Sequence, residues 1–186
     1  MEKSITYKNL ITKIILLTLV ITLSVAFIYG EYLKRDAIEK LTKIDAKKTS
    51  KLVFQSLYSA MEKGWTKEDL KNIIDRINTI DDEMIVNVYR SPIVAEVYGD
   101  IKSDAKARKA NPFVKQALKS EEVLNIIDDS MIQFFYPIIA EQQCLKCHTN
   151  AKEDDVLGVI DISYPINDLK ISLSTMINFF ALFIVM

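Results

Sequence analysis

Residues 10–29 read LITKIILLTLVITLSVAFIY, an apolar run whose single charge, Lys13, sits near one edge. A helix of about twenty residues, rising 1.5 Å at each, covers the roughly 30 Å hydrocarbon core of a bilayer. The chain must either cross a membrane here or lose the stretch as a signal peptide. Lys3, Lys8 and Lys13 form a basic start, and Ser24-Val25-Ala26 is an acceptable small-residue cleavage site. The run continues through Phe27, Ile28 and Tyr29 beyond that site, which favours an uncleaved anchor over 10–30 behind a short cytoplasmic tail, 1–9.

The other end repeats the pattern. After Lys170 the chain reads ISLSTMINFFALFIVM, without a charge to its last residue. These residues would cover about 24 Å as a helix, just short of a full crossing, so 170–186 is expected to be a second, incomplete span. A buried terminal helix of a soluble domain would show a polar face, and only Ser172, Ser174, Thr175 and Asn178 are available for one. Two spans place residues 31–169 on one side of the membrane.

That middle segment holds Cys144-Leu145-Lys146-Cys147-His148, which uses both cysteines and the only histidine of the chain. C-x-x-C-H is the spacing of a c-type haem attachment site. Two cysteines three positions apart lie on one side of a helical turn, where each thiol can form a thioether with a haem vinyl group. The histidine that follows can then take an axial position on the iron. A structural zinc site is the first alternative, but it wants four ligands and finds three here before turning to a carboxylate or a second subunit. A thioredoxin-like dithiol is the second; it needs a βαβ context and leaves the histidine without a role.

Covalent haem attachment takes place outside the cytoplasm, so residues 31–169 are expected in the periplasm, anchored to a bacterial inner membrane. The positive-inside rule agrees weakly, because Lys34, Arg35, Lys40, Lys43, Lys47, Lys48 and Lys51 follow the first span. They alternate with Glu31, Asp36, Glu39 and Asp45, which suits a solvated helix face. With a net charge of −1, no basic surface points to nucleic acid.

Leu33, Ala37, Leu41 and Ile44 recur at helical steps, and the pattern resumes at Leu52, Leu57 and Met61 before Gly64. A long stalk with one apolar stripe is expected, packed on the domain or on a second copy, so a homodimer is a natural partner. A shorter amphipathic helix runs from Thr66 as cap through Leu70, Ile73, Ile74 and Ile77. Strands are expected at 84–89, 93–98, 123–127, 131–139 and 156–164, with a hairpin turn at Asp128-Asp129-Ser130. Short helices are expected at 102–110 and 112–119, the second with Asn111 as cap and Pro112 at its first position. About five strands with helices before, between and after them describe an α+β domain with an antiparallel sheet.

The segments SAMEKG at 59–64, NVYRSPIVAEVYG at 87–99 and YPIIAEQQCLKCHTNAKEDDVLGVIDISYPI at 136–166, with a span at each end, resemble the PAS-like periplasmic c-haem sensor domains of bacterial chemoreceptors, sensor histidine kinases and diguanylate cyclases. The likeness covers about 33–169, and its most specific motif is the attachment site followed eight residues later by VLGVI. It implies a PAS-like fold and a sensory role in signal transduction, with chemotaxis among the outputs. The family's cytoplasmic output domain has no counterpart, since the chain ends within the second span; a truncated protein or an excised sensor half is expected.

With His148 the only histidine, the sixth iron position falls to Met61, Met84, Met131, a lysine, water or nothing. The resemblance implies Met61, because some of these domains draw a distal methionine from the N-terminal helix; a methionine on an apolar stripe is otherwise a core residue. Arg90 is a candidate partner for a haem propionate. Ile132, Phe134, Phe135, Ile138, Ile160 and Ile162 are candidate haem walls. The expected function is to detect redox state or a small gas such as nitric oxide or carbon monoxide and to pass the change across the membrane to a cytoplasmic output. The alternative is a membrane-tethered c-type cytochrome that carries electrons. No second acid, base or nucleophile constellation accompanies the motif, so no enzymatic activity is expected.

Overall fold

The computed structural model describes residues 7–64, 66–80, 84–128 and 130–185. In chain order the elements are α1 (Tyr7–Glu62), α2 (Lys67–Ile77), β1 (Ile85–Arg90), α3 (Pro92–Tyr98), α4 (Lys102–Ala110), α5 (Pro112–Ala117), β2 (Val123–Ile126), β3 (Met131–Ile139), a 3₁₀ turn (Cys144–Lys146), β4 (Val156–Pro165) and α6 (Asn167–Val185). They divide into two units, 1–39 with 169–186, and 40–168. Most of the expected tail 1–9, and Asp129 of the expected turn, lie outside the described residues.

The first unit is helical. Among the described residues one helix, α1, is long and apolar enough to cross a membrane, and none of its apolar window is buried in protein. The hydroxyls of Thr18, Thr22 and Ser24 donate to the carbonyls of Ile15, Thr18 and Val20. These polar groups are thus satisfied within the helix, as hydrocarbon surroundings demand. α6 covers the stretch expected as a second span, and its side chains from Phe180 onward lie outside the described residues.

The second unit is α+β. Its open antiparallel sheet has the order β1-β4-β3-β2, which seats the last strand between the first and the third. Four strands are present among the described residues, against the five expected. The difference lies at Ile93–Tyr98, whose β-branched and aromatic run is helix α3. Ser91 explains it: its side chain accepts from the Val94 N–H as an N-cap, and Pro92 takes the first helical turn, where its missing N–H costs nothing. Arg90-Ser91-Pro92 is therefore a helix start, and capping outweighs β-propensity over a single short segment.

Strand alternation separates two cores. On one face Val86, Ile138, Ile160 and Ile162 pack with Val53 and Leu57 of α1, Val94 of α3 and Cys144. On the other, Phe135 and Val159 pack with Val114 and Ala117 of α5. Phe135, expected beside the haem, thus belongs to the opposite face. Gly158 marks a close approach, because a Cβ there would stand 2.8 Å from the Tyr89 carbonyl oxygen. α2 is joined to β1 through Asn78, whose side chain both accepts from the Val86 N–H and donates to its carbonyl.

The α1 stripe also differs from expectation. The buried positions between residues 40 and 62 are Thr42, Ala46, Ser50, Val53, Leu57 and Ala60, while Leu41, Ile44 and Leu52 are exposed, Leu52 at 69%. Small residues on that face let the helix lie close, which a reading based on large apolar side chains overlooks. α1 ends at Glu62; Gly64 follows at φ +74°, and its N–H donates to the Met61 carbonyl.

Candidate functional site

Cys144, Cys147 and His148 form one compact turn between β3 and β4. The 3₁₀ turn starts at Cys144, and the N–H groups of Cys147 and His148 both donate to the Cys144 carbonyl, at 3.2 and 3.0 Å. Both cysteines are free thiols in different surroundings. Cys144 is 5% exposed within the apolar core, while Cys147 is exposed.

α3 holds the turn from one side. The Tyr98 hydroxyl donates to the Cys147 carbonyl at 2.7 Å, and its ring meets the His148 imidazole edge-on, centroids 5.4 Å apart at 74°. Edge-to-face pairs of this kind are worth about 0.5–1.5 kcal/mol beyond area burial. Two residues beyond His148, the Asn150 amide donates to the Ile93 carbonyl at 2.8 Å and to Glu96 Oε2 at 3.3 Å. His148 is half-buried, and desolvation holds its pKa below the ordinary value, which favours the neutral imidazole that metal ligation requires. Its Nδ1 is buried and has no hydrogen-bond partner among the described residues.

α1 supplies another side. Phe54, Tyr58 and Met61 recur at i, i+4 and i+7 and so share a helix face. Phe54 and Met61 pack against the core that includes Cys144, and the Phe54 and Tyr58 rings lie 6.1 Å apart. The Tyr58 phenol is pushed above its ordinary pKa, first by desolvation and then by Glu62, Cys144, Cys147 and Glu141, so it too neighbours the turn. A cleft of about 230 Å³ opens beside these residues, lined by Lys51, Phe54, Tyr136, Ile138, Glu141 and Gln143 among others.

The residues present fit a haem. Two thiols at C-x-x-C spacing, a neutral imidazole next to them and an apolar wall all converge on one turn. Among the described residues no group of three or more His, Cys, Asp or Glu side chains is arranged to hold a bare metal ion.

Of the candidate sixth ligands, Met61 and Met84 both pack on the core containing Cys144, whereas Met131 opens β3 opposite Pro165. Ile138, Ile160 and Ile162 belong to that core, and Ile132 and Phe134 are buried on the same strand face. Arg90 is engaged elsewhere. Its Nε donates to the buried Asp104 at 2.9 Å, its carbonyl accepts from Arg108, and its Nη2 is buried with no hydrogen-bond partner among the described residues. Arg108 also pairs with Asp100 and holds that carboxyl below its ordinary pKa. Tyr58, Tyr98 and Asn150 were not singled out from the sequence; only the helical phase of Tyr58 relative to Met61 could have pointed to one of them.

Compared with family models, with curated proteins and with solved structures, the chain finds no match.

Proposed function

We propose that this chain is a membrane-anchored c-type haem sensor. Cys144 and Cys147 carry the ring as thioethers, and His148 is the axial ligand. The observation that supports this most is the convergence of the chain's only two cysteines and only histidine on one turn, with the imidazole held neutral by desolvation. The open antiparallel sheet and long N-terminal helix are compatible with the PAS-like fold that the sequence resemblance implies, although 93–98, where a strand was expected, is part of helix α3. In this reading α1 anchors the chain in the inner membrane, α6 begins a second span, residues 40–168 lie in the periplasm, and the message goes to a cytoplasmic output partner. The exposed Leu41, Ile44 and Leu52 would be the contact with a second copy.

When bound, haem supplies an iron that changes oxidation state or takes up a small gas. The protein's own part is to present neutral His148 from one side and the α1 face, with Met61, from another. A signal requires that the two iron states differ in their affinity for the group on the α1 side, because an input without differential free energy shifts no equilibrium. The second reading, a tethered electron carrier, is favoured by the exposure of Cys147, which would leave a haem edge open to partners.

The test is to export the chain with haem-maturation machinery and record ferric, ferrous and ferrous-plus-carbon-monoxide spectra. Covalent haem that is lost in Cys144→Ser and Cys147→Ser is expected. Its absence, with a control cytochrome loaded, rejects the proposal in favour of a zinc or dithiol site. Ready exchange with carbon monoxide supports gas sensing, and a six-coordinate ferrous spectrum indifferent to it supports electron transfer or pure redox sensing. If Met61 is the sixth ligand, Met61→Ala changes the ferrous spectrum.

A further inference from the structure

An axial imidazole is ordinarily fixed in rotation by a hydrogen bond from the nitrogen that does not face the metal. With Nε2 as the ligating atom, the buried Nδ1 of His148 has no such partner among the described residues, and the plane of the ring is left to its other contacts. Tyr98 is placed to do so. Its ring stands edge-on to the imidazole with centroids 5.4 Å apart, a contact that turning the imidazole about its side chain would break. Its hydroxyl donates to the carbonyl of Cys147, the residue before His148, at 2.7 Å and so holds the backbone from which the imidazole projects.

The platform that carries Tyr98 is itself secured. α3 starts at the buried cap Ser91, the Ser91 N–H donates to the Leu157 carbonyl of β4, and Val94 is buried in the core that holds Cys144. Asn150 joins the same helix through the Ile93 carbonyl in its first turn and through Glu96. The turn is thus gripped on both sides of His148, by Tyr98 at Cys147 and by Asn150 two residues beyond.

We propose that Tyr98 is the positioning residue of His148: its ring fixes the imidazole plane and its hydroxyl fixes the backbone beneath it. This rests on His148 being the axial ligand. The plane of an axial imidazole governs its overlap with the iron d orbitals, and the electron paramagnetic resonance of ferric haem reports it directly.

The test uses the full chain in detergent, haem-loaded, with Tyr98→Leu and Tyr98→Phe. Wild type and Tyr98→Phe, which keeps the ring edge, are expected to give one narrow ferric signal. Tyr98→Leu should give a broadened signal of several components at unchanged haem content. A narrow signal in Tyr98→Leu overturns the proposal, as does a fall in melting temperature with no spectral change. The hydroxyl is read separately in the haem-free chain, so the test does not depend on the leucine variant folding. In Tyr98→Phe hydrogen exchange at the His148 amide, bonded to Cys144, should quicken several-fold, as the loss of one hydrogen bond implies. Unchanged exchange there overturns the anchoring role. Failure of the wild type to load haem, beside a loaded control cytochrome, is a different result and removes the axial reading itself.

Discussion

Asp161 lies in the middle of β4, 2% exposed, with its carboxyl accepting from the Gln133 amide at 2.8 Å and from the Tyr89 hydroxyl at 3.4 Å. Two neutral donors do not offset the loss of water, and burial pushes its pKa up to about 6, while the Tyr89 phenol is pushed up to about 12. Below about pH 4 the carboxyl is protonated in folded and unfolded chains alike. Between there and about pH 6 the folded chain keeps a proton that the unfolded chain has released, so stability falls as pH rises through that window. At 1.36 kcal/mol per unit the loss is on the order of 3 kcal/mol. Asp161→Asn should flatten this dependence and raise stability at pH 7 by about 1–3 kcal/mol in chemical denaturation; an unchanged pH profile would show that Asp161 is not its source. Cys144, Cys147 and His148 were legible as residues because their spacing is local. Asp161 was not, since its burial depends on strands paired across the sheet, and neither was Tyr98, which meets Cys147 across 49 positions of sequence.

α3 shows how one capping residue decides an element. Ser91 is 1% exposed and its side chain accepts from the Val94 N–H, so Ser91→Ala should cost about 1 kcal/mol, within the 0.5–2 range of N-cap losses. The loss should appear as a lower denaturation midpoint with unchanged m-value. The sequence shows Ser-Pro beside β-branched residues; whether that pair ends a strand or starts a helix depends on the core that receives Val94, which local pattern does not contain. Other elements were legible because their signals are local. The Thr66 cap forms a reciprocal box with Asp69, Asn111 caps α5, and Asp128 closes the β2–β3 turn through the N–H groups of Ser130 and Met131. Gly158 belongs with the concealed features. Gly158→Ala would drive a methyl group into the Tyr89 carbonyl and should destabilise the β1–β4 pairing by about 1–3 kcal/mol, measured by the same denaturation.

At the scale of the molecule the two units differ in the surroundings they suit. Leu16, Leu17, Leu19, Val20 and Ile21 are exposed on α1, whereas residues 40–168 enclose two apolar cores. A fragment spanning 40–168 should therefore stay in the supernatant without detergent and melt cooperatively, while the full chain should float with lipid vesicles in a density gradient; a full chain left at the bottom would count against anchoring. Within the sheet, β4 is hydrogen-bonded along both edges, to β1 and to β3, over a strand of about 33 Å. It begins eight residues after His148 and ends beside Ile166, whose N–H donates to the Ser130 carbonyl. A strand sewn along both edges is stiff under load. It cannot slip by one residue without turning every side chain to the opposite face. Force applied at the Cys144–His148 turn therefore arrives at Ile166 as translation rather than bending, and a pull along this axis must shear two ladders at once, the direction in which the domain is hardest to unzip.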